Sequence, residues 1–242
     1  MVLRDLGAKL WKGLKTTLKL AFIGVPLGLG LGVAKVEFNR YMLLKAKDDI
    51  KKASVLVLGD KGVGSGIVVK SNHNGSYILT NKHVCRLSKI KVKTYYSKII
   101  TYNAMQVKPT SDEKKAQPLF FPAQVVKVGV NYDLCLLHTD VFGFEKVNIA
   151  NRMPEPREFV MGYSNPRGIP GVFSEGIAGT PRYIMEGLFQ PTTIYGLPGS
   201  SGSGVFNKSG ELVGLVALRD NFNGILHMVP LPHIRHFLDM EF

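Results

Sequence analysis

Ten short apolar runs, separated by clusters of glycine, asparagine and serine, follow one another along the chain from residue 54 onward. They cover residues 54–58, 66–70, 77–80, 90–94, 123–128, 134–138, 159–163, 204–207, 212–218 and 224–229. Short runs bounded by turn-forming residues are typical of β-strands, and many of them in close succession indicate an all-β barrel or sandwich. A chain of 242 residues with 45% hydrophobic content can bury one large core or two small barrels that share a cleft.

The segment at residues 198–204, with the sequence PGSSGSG, consists of a proline followed by interspersed glycine and serine residues. Gly199 and Gly202 permit backbone angles that residues with a Cβ resist. Such a turn can present the hydroxyl of Ser201 while the N–H groups of Gly199 and Ser201 point at one substrate oxygen, as acyl transfer requires. Taken alone, a segment of this composition is more often an ordinary turn or linker.

A serine hydroxyl needs a neighbouring base, normally a histidine that a carboxylate orients. His83 follows the apolar run at 77–80 through a polar turn, and Asp133 leads directly into the run at 134–138. Each residue alone also fits an ordinary surface or turn position. Their order along the chain, followed by Ser201, predicts a Ser-His-Asp catalytic triad.

Five ordered motifs resemble those of the chymotrypsin-like serine proteases, and within them the HtrA/Deg-type and glutamyl-endopeptidase-like bacterial branches. The resemblance extends over most of residues 55–240. The motifs are GVGSGIVV at 62–69, ILTNKHV at 78–84, AQVVKV with DLCLL at 123–128 and 133–137, VMGYSNPRG with SEGI at 160–168 and 174–177, and the serine segment from 198 through 216.

The resemblance implies an all-β fold of two six-stranded antiparallel β-barrels with a C-terminal helix and no PDZ domain after it. It implies Ser201 as nucleophile, His83 as general base and then acid, and Asp133 as the group that fixes the imidazole tautomer. Gly199 and Ser201 would supply the oxyanion-hole N–H groups, and Ser203 is a rival nucleophile because it also lies between glycines. The expected partner is a protein or peptide substrate, and no metal or cofactor is implied.

Several positions depart from the better-known members of the family. Ser200 stands where zymogen-activated trypsins have an aspartate, so activation by insertion of a new N-terminus is not expected. Val84 follows the histidine in place of a disulfide-forming cysteine. Cys85 and Cys135 are the only cysteines, and because both lie in apolar segments we interpret them as small buried thiols. Their spacing does not match that of zinc ligands.

The specificity pocket is less clearly marked in the sequence. Val216 stands where glutamyl endopeptidases have a histidine, and Tyr195 stands near the pocket floor where trypsins have an aspartate. The resemblance therefore favours a small or apolar substrate side chain, with Leu226 as a further wall residue. His227 would enter the pocket only in a shifted alignment, and we interpret it as a solvent-facing or partly satisfied strand residue.

Residues 1–50 differ in kind from residues 51–242, which we assign to the protease domain. An uncharged, glycine-rich apolar run covers residues 20–34. Several lysines precede this run, and Lys35 and Arg40 follow it. As a helix it would be about 22 Å long, shorter than the roughly 30 Å hydrocarbon layer of a bilayer. We predict a helical membrane segment within residues 1–40 that acts as a single-pass anchor, and the sequence does not indicate its orientation in the membrane. Three alternatives remain: a flexible segment, an amphipathic surface helix at 1–19, and a signal sequence cleaved after Ala34.

The formal net charge of +13 raises the possibility of a nucleic-acid partner. Residues 1–54 carry 11 of the Lys and Arg residues against four Asp and Glu, and anionic lipid is the simpler partner for that segment. A basic and aromatic stretch such as that at 89–98 is more often a solvated strand face, so nucleic acid is not the partner we expect. A basic membrane-surface protein that binds nucleic acid is kept as an alternative function. A second alternative is a catalytically silent barrel that serves as a binding or chaperone-like module at a membrane.

Overall fold

The structure, a computed structural model, describes residues 27–60, 62–86, 89–94, 120–169, 171–184, 187–220 and 224–239. The chain divides into two compact units, with the division after Asp48. Helix α1 covers Leu27–Ala53, and its last turn enters the second unit, where Ile50 and Ala53 are fully buried. All the β-strands belong to the second unit.

The predicted membrane segment falls only partly within the described residues. Residues 1–26 lie outside them, and with these the proposed amphipathic stretch and the first half of the apolar run. From Leu27 the chain is helical, and charged residues recur along it from Lys35 onward. Among the described residues, no helix has both the length and the apolar character needed to cross a bilayer.

The first half of the second unit forms a seven-stranded antiparallel sheet in the order β5-β4-β1-β2-β3-β7-β6. Its strands are β1 Ser54–Gly59, β2 Gly62–Asn72, β3 Gly75–Thr80, β4 Lys91–Thr94, β5 Phe120–Pro122, β6 Gln124–Val128 and β7 Cys135–Thr139. Val57, Val68, Ile78 and Leu137 belong to one buried apolar cluster. These residues come from four neighbouring strands, so burial of one sheet face holds this half together.

The second half forms another seven-stranded antiparallel sheet, in the order β10-β11-β14-β13-β12-β8-β9. Its strands are β8 Phe159–Ser164, β9 Val172–Ile177, β10 Arg182–Ile184, β11 Gly187–Thr192, β12 Gly204–Phe206, β13 Leu212–Arg219 and β14 Leu226–Pro230. Helix α2, Leu231–Asp239, follows β14 and buries Leu231, Ile234, Phe237 and Leu238. The core of this half includes Val160, Val205, Val216 and Met228.

The all-β fold and the C-terminal helix are confirmed, whereas the expected six strands in each half are not. Each of the ten apolar runs of the sequence lies on an observed strand, and the additional strands are β5, β9, β10 and β11. Strands β5 and β10, each of three residues, form outer edges of the two sheets and raise each count to seven. Both are too short to give a period-two pattern, which is why the sequence did not indicate them.

The interpretation of Cys85 and Cys135 as free thiols is wrong, because they form a disulfide with a Cα–Cα distance of 6.4 Å. Strands β3 and β7 are antiparallel neighbours, and Thr80 pairs with Cys135 at the end of their ladder. A short 3₁₀ turn, Val84–Arg86, carries Cys85 close to this end of β7. The pairing therefore follows from the strand register.

Candidate active site

His83 lies in the turn that follows β3, and a buried asparagine fixes the backbone of that turn. The carbonyl oxygen of Asn81 accepts hydrogen bonds from the N–H groups of Val84 and Cys85, each at 3.2 Å. The Asn81 side chain donates from Nδ2 to the carbonyl oxygen of Asp133 at 2.8 Å. One residue thus holds the histidine turn and the aspartate segment together.

The structure brings His83 and Asp133 into direct contact through two hydrogen bonds. The backbone N–H of His83 donates to Oδ1 of Asp133 at 3.1 Å, and His83 Nδ1 lies 2.8 Å from Oδ2. The imidazole side chain is 44% exposed and the carboxylate 22%. When Nδ1–H donates a hydrogen bond to the carboxylate, the neutral imidazole has an unprotonated Nε2, which is the state required of a general base.

The segment from Pro198 to Ser203 forms a tight loop that contains two left-handed glycines. Gly199 has φ +99° and Gly202 has φ +85°, and a Cβ at Gly199 would lie 2.7 Å from the carbonyl oxygen of Asn165. A Cβ at Gly202 would collide with the carbonyl oxygen of Ser65 and the hydroxyl of Thr80. Only glycine satisfies both the backbone angle and the available space at these positions.

Two peptide N–H groups of this loop have no backbone acceptor among the described residues, and they belong to Gly199 and Ser201. The carbonyl ends of the same peptide units are both engaged: Pro198 O accepts from the N–H of Arg167 at 2.7 Å, and Ser200 O accepts from the N–H of Ser203 at 3.1 Å. Because a peptide unit is planar and trans, fixing its oxygen also fixes the direction of its N–H. These two N–H groups are the ones that the sequence predicted for an oxyanion hole.

The two candidate nucleophiles have different surroundings. The Ser203 hydroxyl donates to Ser200 O at 2.7 Å, and Ser203 is only 1% exposed. Ser201 is half-buried. A hydroxyl that is buried and already bonded to the backbone is a poor candidate for attack on an incoming substrate, so the geometry favours Ser201.

The loop that bears Ser201 and the turn that bears His83 both approach strand β2 at Gly64. A Cβ at Gly64 would lie 2.7 Å from Val84, the residue after His83, and 3.4 Å from the carbonyl oxygen of Ser201. The next residue, Ser65, donates its N–H to the same oxygen at 2.8 Å. The absence of a side chain at position 64 allows the serine loop and the histidine turn to meet on one strand.

The three residues predicted for the specificity pocket differ in exposure. Tyr195 is 55% exposed, whereas Val216 and Leu226 are each 3% exposed and belong to the core cluster of the second sheet. Gly196 links this cluster to the serine loop, because a Cβ there would lie 2.6 Å from Leu226 and 3.3 Å from the Cβ of Ser200. The apolar core of the second half therefore extends to the residue before Ser201.

His227 lies on β14 and is partly satisfied, as the sequence suggested, but it is buried rather than solvent-facing. Its Nε2 lies 3.4 Å from Nη2 of Arg182, and Nδ1 has no partner among the described residues. Burial lowers the pKa of His227, and the nearby Arg182 charge lowers it further. Both effects favour the neutral form of this imidazole.

Sequence reasoning assigned no role to Ser65 and Asn165, which join the first sheet to the serine loop. The Ser65 hydroxyl donates to the carbonyl oxygen of Gly199 at 2.9 Å, and it accepts from both the N–H and Nδ2 of Asn165 at 3.1 Å. Both residues lie in motifs that supported the family resemblance. The sequence signal that could have pointed to Ser65 is its place between two glycines, Gly64 and Gly66, just before an apolar run.

Comparison with known proteins agrees with this geometry. The family described as a trypsin-like peptidase domain matches residues 64–215. Among solved structures, the serine endoprotease of Yersinia pestis matches with 25% identity and a TM-score of 0.64, over 82% of this chain and 65% of that protein. The present chain thus spans slightly less than two thirds of the Yersinia protein.

A second solved structure is an inactive serine-to-alanine mutant of the Mycobacterium tuberculosis H37Rv protein Rv3671c. It matches with 13% identity and a TM-score of 0.62, over 81% of this chain and 89% of that protein, and so shows a shared fold. No curated protein matches the chain significantly. Since the family match covers more than half of the sequence and includes His83, Asp133 and Ser201, the chain belongs to the trypsin-like peptidase family.

Proposed function

We propose that this protein is a serine endopeptidase that cleaves peptide bonds through Ser201, His83 and Asp133. The observation that carries the proposal is the 2.8 Å contact between His83 Nδ1 and Asp133 Oδ2, made beside the loop that bears Ser201. Family membership supports the same activity. If the His83–Asp133 pair had a purely structural role, it would not need a neighbouring loop with two free N–H groups. In the loop that bears Ser201, the N–H groups of Gly199 and Ser201 have no backbone acceptor among the described residues.

The proposed reaction begins when His83 Nε2 takes the proton of the Ser201 hydroxyl as Oγ attacks the substrate carbonyl carbon. The N–H groups of Gly199 and Ser201 stabilise the negative oxygen of the tetrahedral intermediate. His83 then gives the proton to the leaving amine nitrogen, and the peptide bond breaks to leave an acyl-enzyme on Ser201. Water activated by His83 hydrolyses this ester and restores the free hydroxyl.

Asp133 contributes by orientation and by charge. Its two oxygens engage the backbone N–H and the Nδ1 of one residue, so both the position and the tautomer of the imidazole are set. When His83 becomes protonated during the reaction, the carboxylate stabilises the positive charge at hydrogen-bond distance. These roles distinguish an active protease from a silent barrel of the same fold.

We further propose that the substrate residue before the scissile bond is small or apolar. Val216 and Leu226 are apolar and lie in the cluster that reaches Gly196 and Ser200. Tyr195 supplies no negative charge for a lysine or arginine side chain. Profiling with a peptide library tests this preference, and a dominant preference for a charged side chain would contradict it.

A fluorophosphonate probe tests the proposed activity directly, because it phosphonylates an activated serine. We expect labelling of the wild-type protein and of Ser203→Ala, and none of Ser201→Ala or His83→Ala. Ser203→Ala is the matched control, since it removes a hydroxyl two residues away on the same loop. A folded wild-type protein that stays unlabelled, or labelling that maps to Ser203, would overturn the proposal.

The proposed localisation is a membrane surface, with residues 1–40 as the tether. Lysines at positions 9, 12, 15 and 19 precede the apolar run at 20–34, an arrangement suited to anionic headgroups beside a hydrocarbon layer. Flotation of the full chain with vesicles of anionic and zwitterionic lipid tests it. We expect the wild type to float and Phe22→Lys, which places a charge in the run, to remain in the soluble fraction; equal behaviour of the two proteins would overturn this part.

A further inference from the structure

We propose that Ser65 is a positioning residue that sets the direction of the oxyanion-binding N–H groups from the opposite sheet. The inference rests on the proposed function, because it concerns the same serine loop. Ser65 lies on β2 of the first sheet and is 1% exposed. The loop that it contacts precedes β12 of the second sheet, more than 130 residues further along the chain.

Ser65 binds two alternate carbonyl groups of the loop. Its N–H donates to Ser201 O at 2.8 Å, and its hydroxyl donates to Gly199 O at 2.9 Å. The N–H groups of the same peptide units are also bonded, that of Ser200 to Leu197 O and that of Gly202 to Val216 O, each at 2.9 Å. These two units are therefore fixed at both ends.

The two fixed units alternate with the units that carry the free N–H groups of Gly199 and Ser201. The direction of a free N–H can change only by rotation about the backbone bonds that join it to its neighbours, since each unit is planar. Each of the two units that carry a free N–H is followed by a unit that Ser65 holds, so a displacement of the loop would break a hydrogen bond across the sheets. A flip of either unit alone is opposed by the bonds that Pro198 O and Ser200 O accept from the N–H groups of Arg167 and Ser203. Ser65 thus acts on the oxyanion hole through the neighbouring peptides, without touching the substrate.

The orientation of the Ser65 hydroxyl is itself determined by its surroundings. Asn165 supplies two donors to Oγ, from its N–H and its Nδ2, each at 3.1 Å. The hydroxyl proton is then left for Gly199 O, the acceptor on its other side. Thr80 in addition donates to the carbonyl oxygen of Ser65 at 2.7 Å and holds the strand in place. The position requires a short side chain that both donates and accepts, which explains a serine in the otherwise apolar first part of β2.

The test compares Ser65→Ala with Ser54→Ala. Ser54 is a matched control, because it is a buried serine of the same sheet whose hydroxyl donates to the backbone oxygen of Ile50 at 2.8 Å, away from the serine loop. For Ser65→Ala we expect kcat on a peptide substrate to fall about 10- to 100-fold with KM little changed, because the lost alignment matters most in the transition state. For Ser54→Ala we expect wild-type kcat with a similar loss of thermal stability.

A second measurement does not depend on activity. Amide hydrogen exchange of Ser200 reports the peptide unit that loses its anchor in Ser65→Ala, and we expect it to be at least about tenfold faster than in Ser54→Ala. Equal kcat and equal Ser200 exchange in the two variants would overturn the inference while leaving a labelled wild-type protein as a protease. An unlabelled wild type would instead overturn the proposed function, and the exchange result would still decide whether Ser65 holds the loop.

Discussion

The disulfide between Cys85 and Cys135 joins two residues that each lie two positions after a member of the His83–Asp133 pair. It runs beside the hydrogen bonds between the histidine and the aspartate and connects the same two segments. The side chain of Asn81 adds a third link, to the carbonyl oxygen of Asp133. His83 and Asp133 are thus held by covalent and polar contacts made outside the pair itself.

Removing this crosslink is expected to lower both stability and activity. Replacing both cysteines by serine frees a loop with a sequence separation of 50, and crosslinks of this kind contribute about 2–4 kcal/mol to the free energy of unfolding. We also expect a lower kcat, because the two segments can then move apart. Denaturant melts and peptide kinetics, with and without reductant, provide the measurement. The double variant should be insensitive to reductant, and wild-type stability in that variant would contradict the prediction.

Changing Asp133 to asparagine is expected to reduce kcat by about 10³- to 10⁴-fold with little effect on KM. The amide oxygen can still accept the His83 backbone N–H, which places the NH₂ group against Nδ1. Nδ1 must then accept, the proton moves to Nε2, and the histidine can no longer act as a base. Steady-state kinetics measure the change.

The control for that variant is Asp140→Asn. Asp140 also faces a histidine, with 3.7 Å between its Oδ1 and Nδ1 of His138, but its side chain is fully exposed and it follows β7 at the end opposite to Asp133. We expect this variant to retain wild-type kcat. A comparable loss in both variants would show that charge alone, rather than the His83 tautomer, accounts for the effect.

The parts of the fold with a local signature were predictable from the sequence. Ten apolar runs correspond to β1–β4, β6–β8 and β12–β14. In most of these strands burial of a sheet face imposes a pattern on consecutive residues, whereas β6 is apolar in sequence although its three valines are exposed. Strand β11 contains Pro191, which lacks an N–H donor, and strand β9 is largely half-buried or exposed. Such strands owe their conformation to neighbours that are distant in sequence, so local pattern does not reveal them.

The same distinction applies to the candidate site. His83 and Asp133 were identified because His83 follows one apolar run and Asp133 directly precedes another, in a recognisable order along the chain. The disulfide and the contacts of Ser65 join residues 50 and more than 130 positions apart, and they depend on strand register and on how the two sheets meet. Residue types and their order along the chain do not show which distant residues will come into contact.

Buried His227 is expected to make the protein less stable as the pH falls below neutrality. Burial and Arg182 hold the pKa of this imidazole below its ordinary value of 6.5, while the unfolded chain has the ordinary value. Below about pH 6.5 the unfolded state therefore binds more protons than the folded state, and stability declines until the pH reaches the folded-state pKa.

The variant His227→Gln should show a flatter dependence of the unfolding midpoint on pH in that range. His233, whose pKa is also lowered, chiefly by burial, contributes in the same direction, so His227→Gln with His233→Gln should be flatter still. Thermal melts between about pH 7 and pH 5 measure the slopes. A wild-type slope in His227→Gln would show that this histidine takes up its proton equally well in both states.

Gly199, one of the two left-handed glycines of the serine loop, is expected to be more sensitive to substitution than a left-handed glycine elsewhere. Gly199→Ala and Gly210→Ala both place a Cβ on a backbone with positive φ, of +99° and +80°, and each should lose about 1–3 kcal/mol of stability. At Gly199 the Cβ would also lie 2.7 Å from Asn165 O and 2.9 Å from the N–H nitrogen of Arg167, so the loop must move. That movement turns the N–H groups away from the substrate oxygen, and we expect kcat to fall about 100-fold in Gly199→Ala but to stay near wild type in Gly210→Ala. Melting curves and kcat measured on the same preparations separate the two effects, and equal kcat in both variants would mean that the loop tolerates the shift without loss of oxyanion stabilisation.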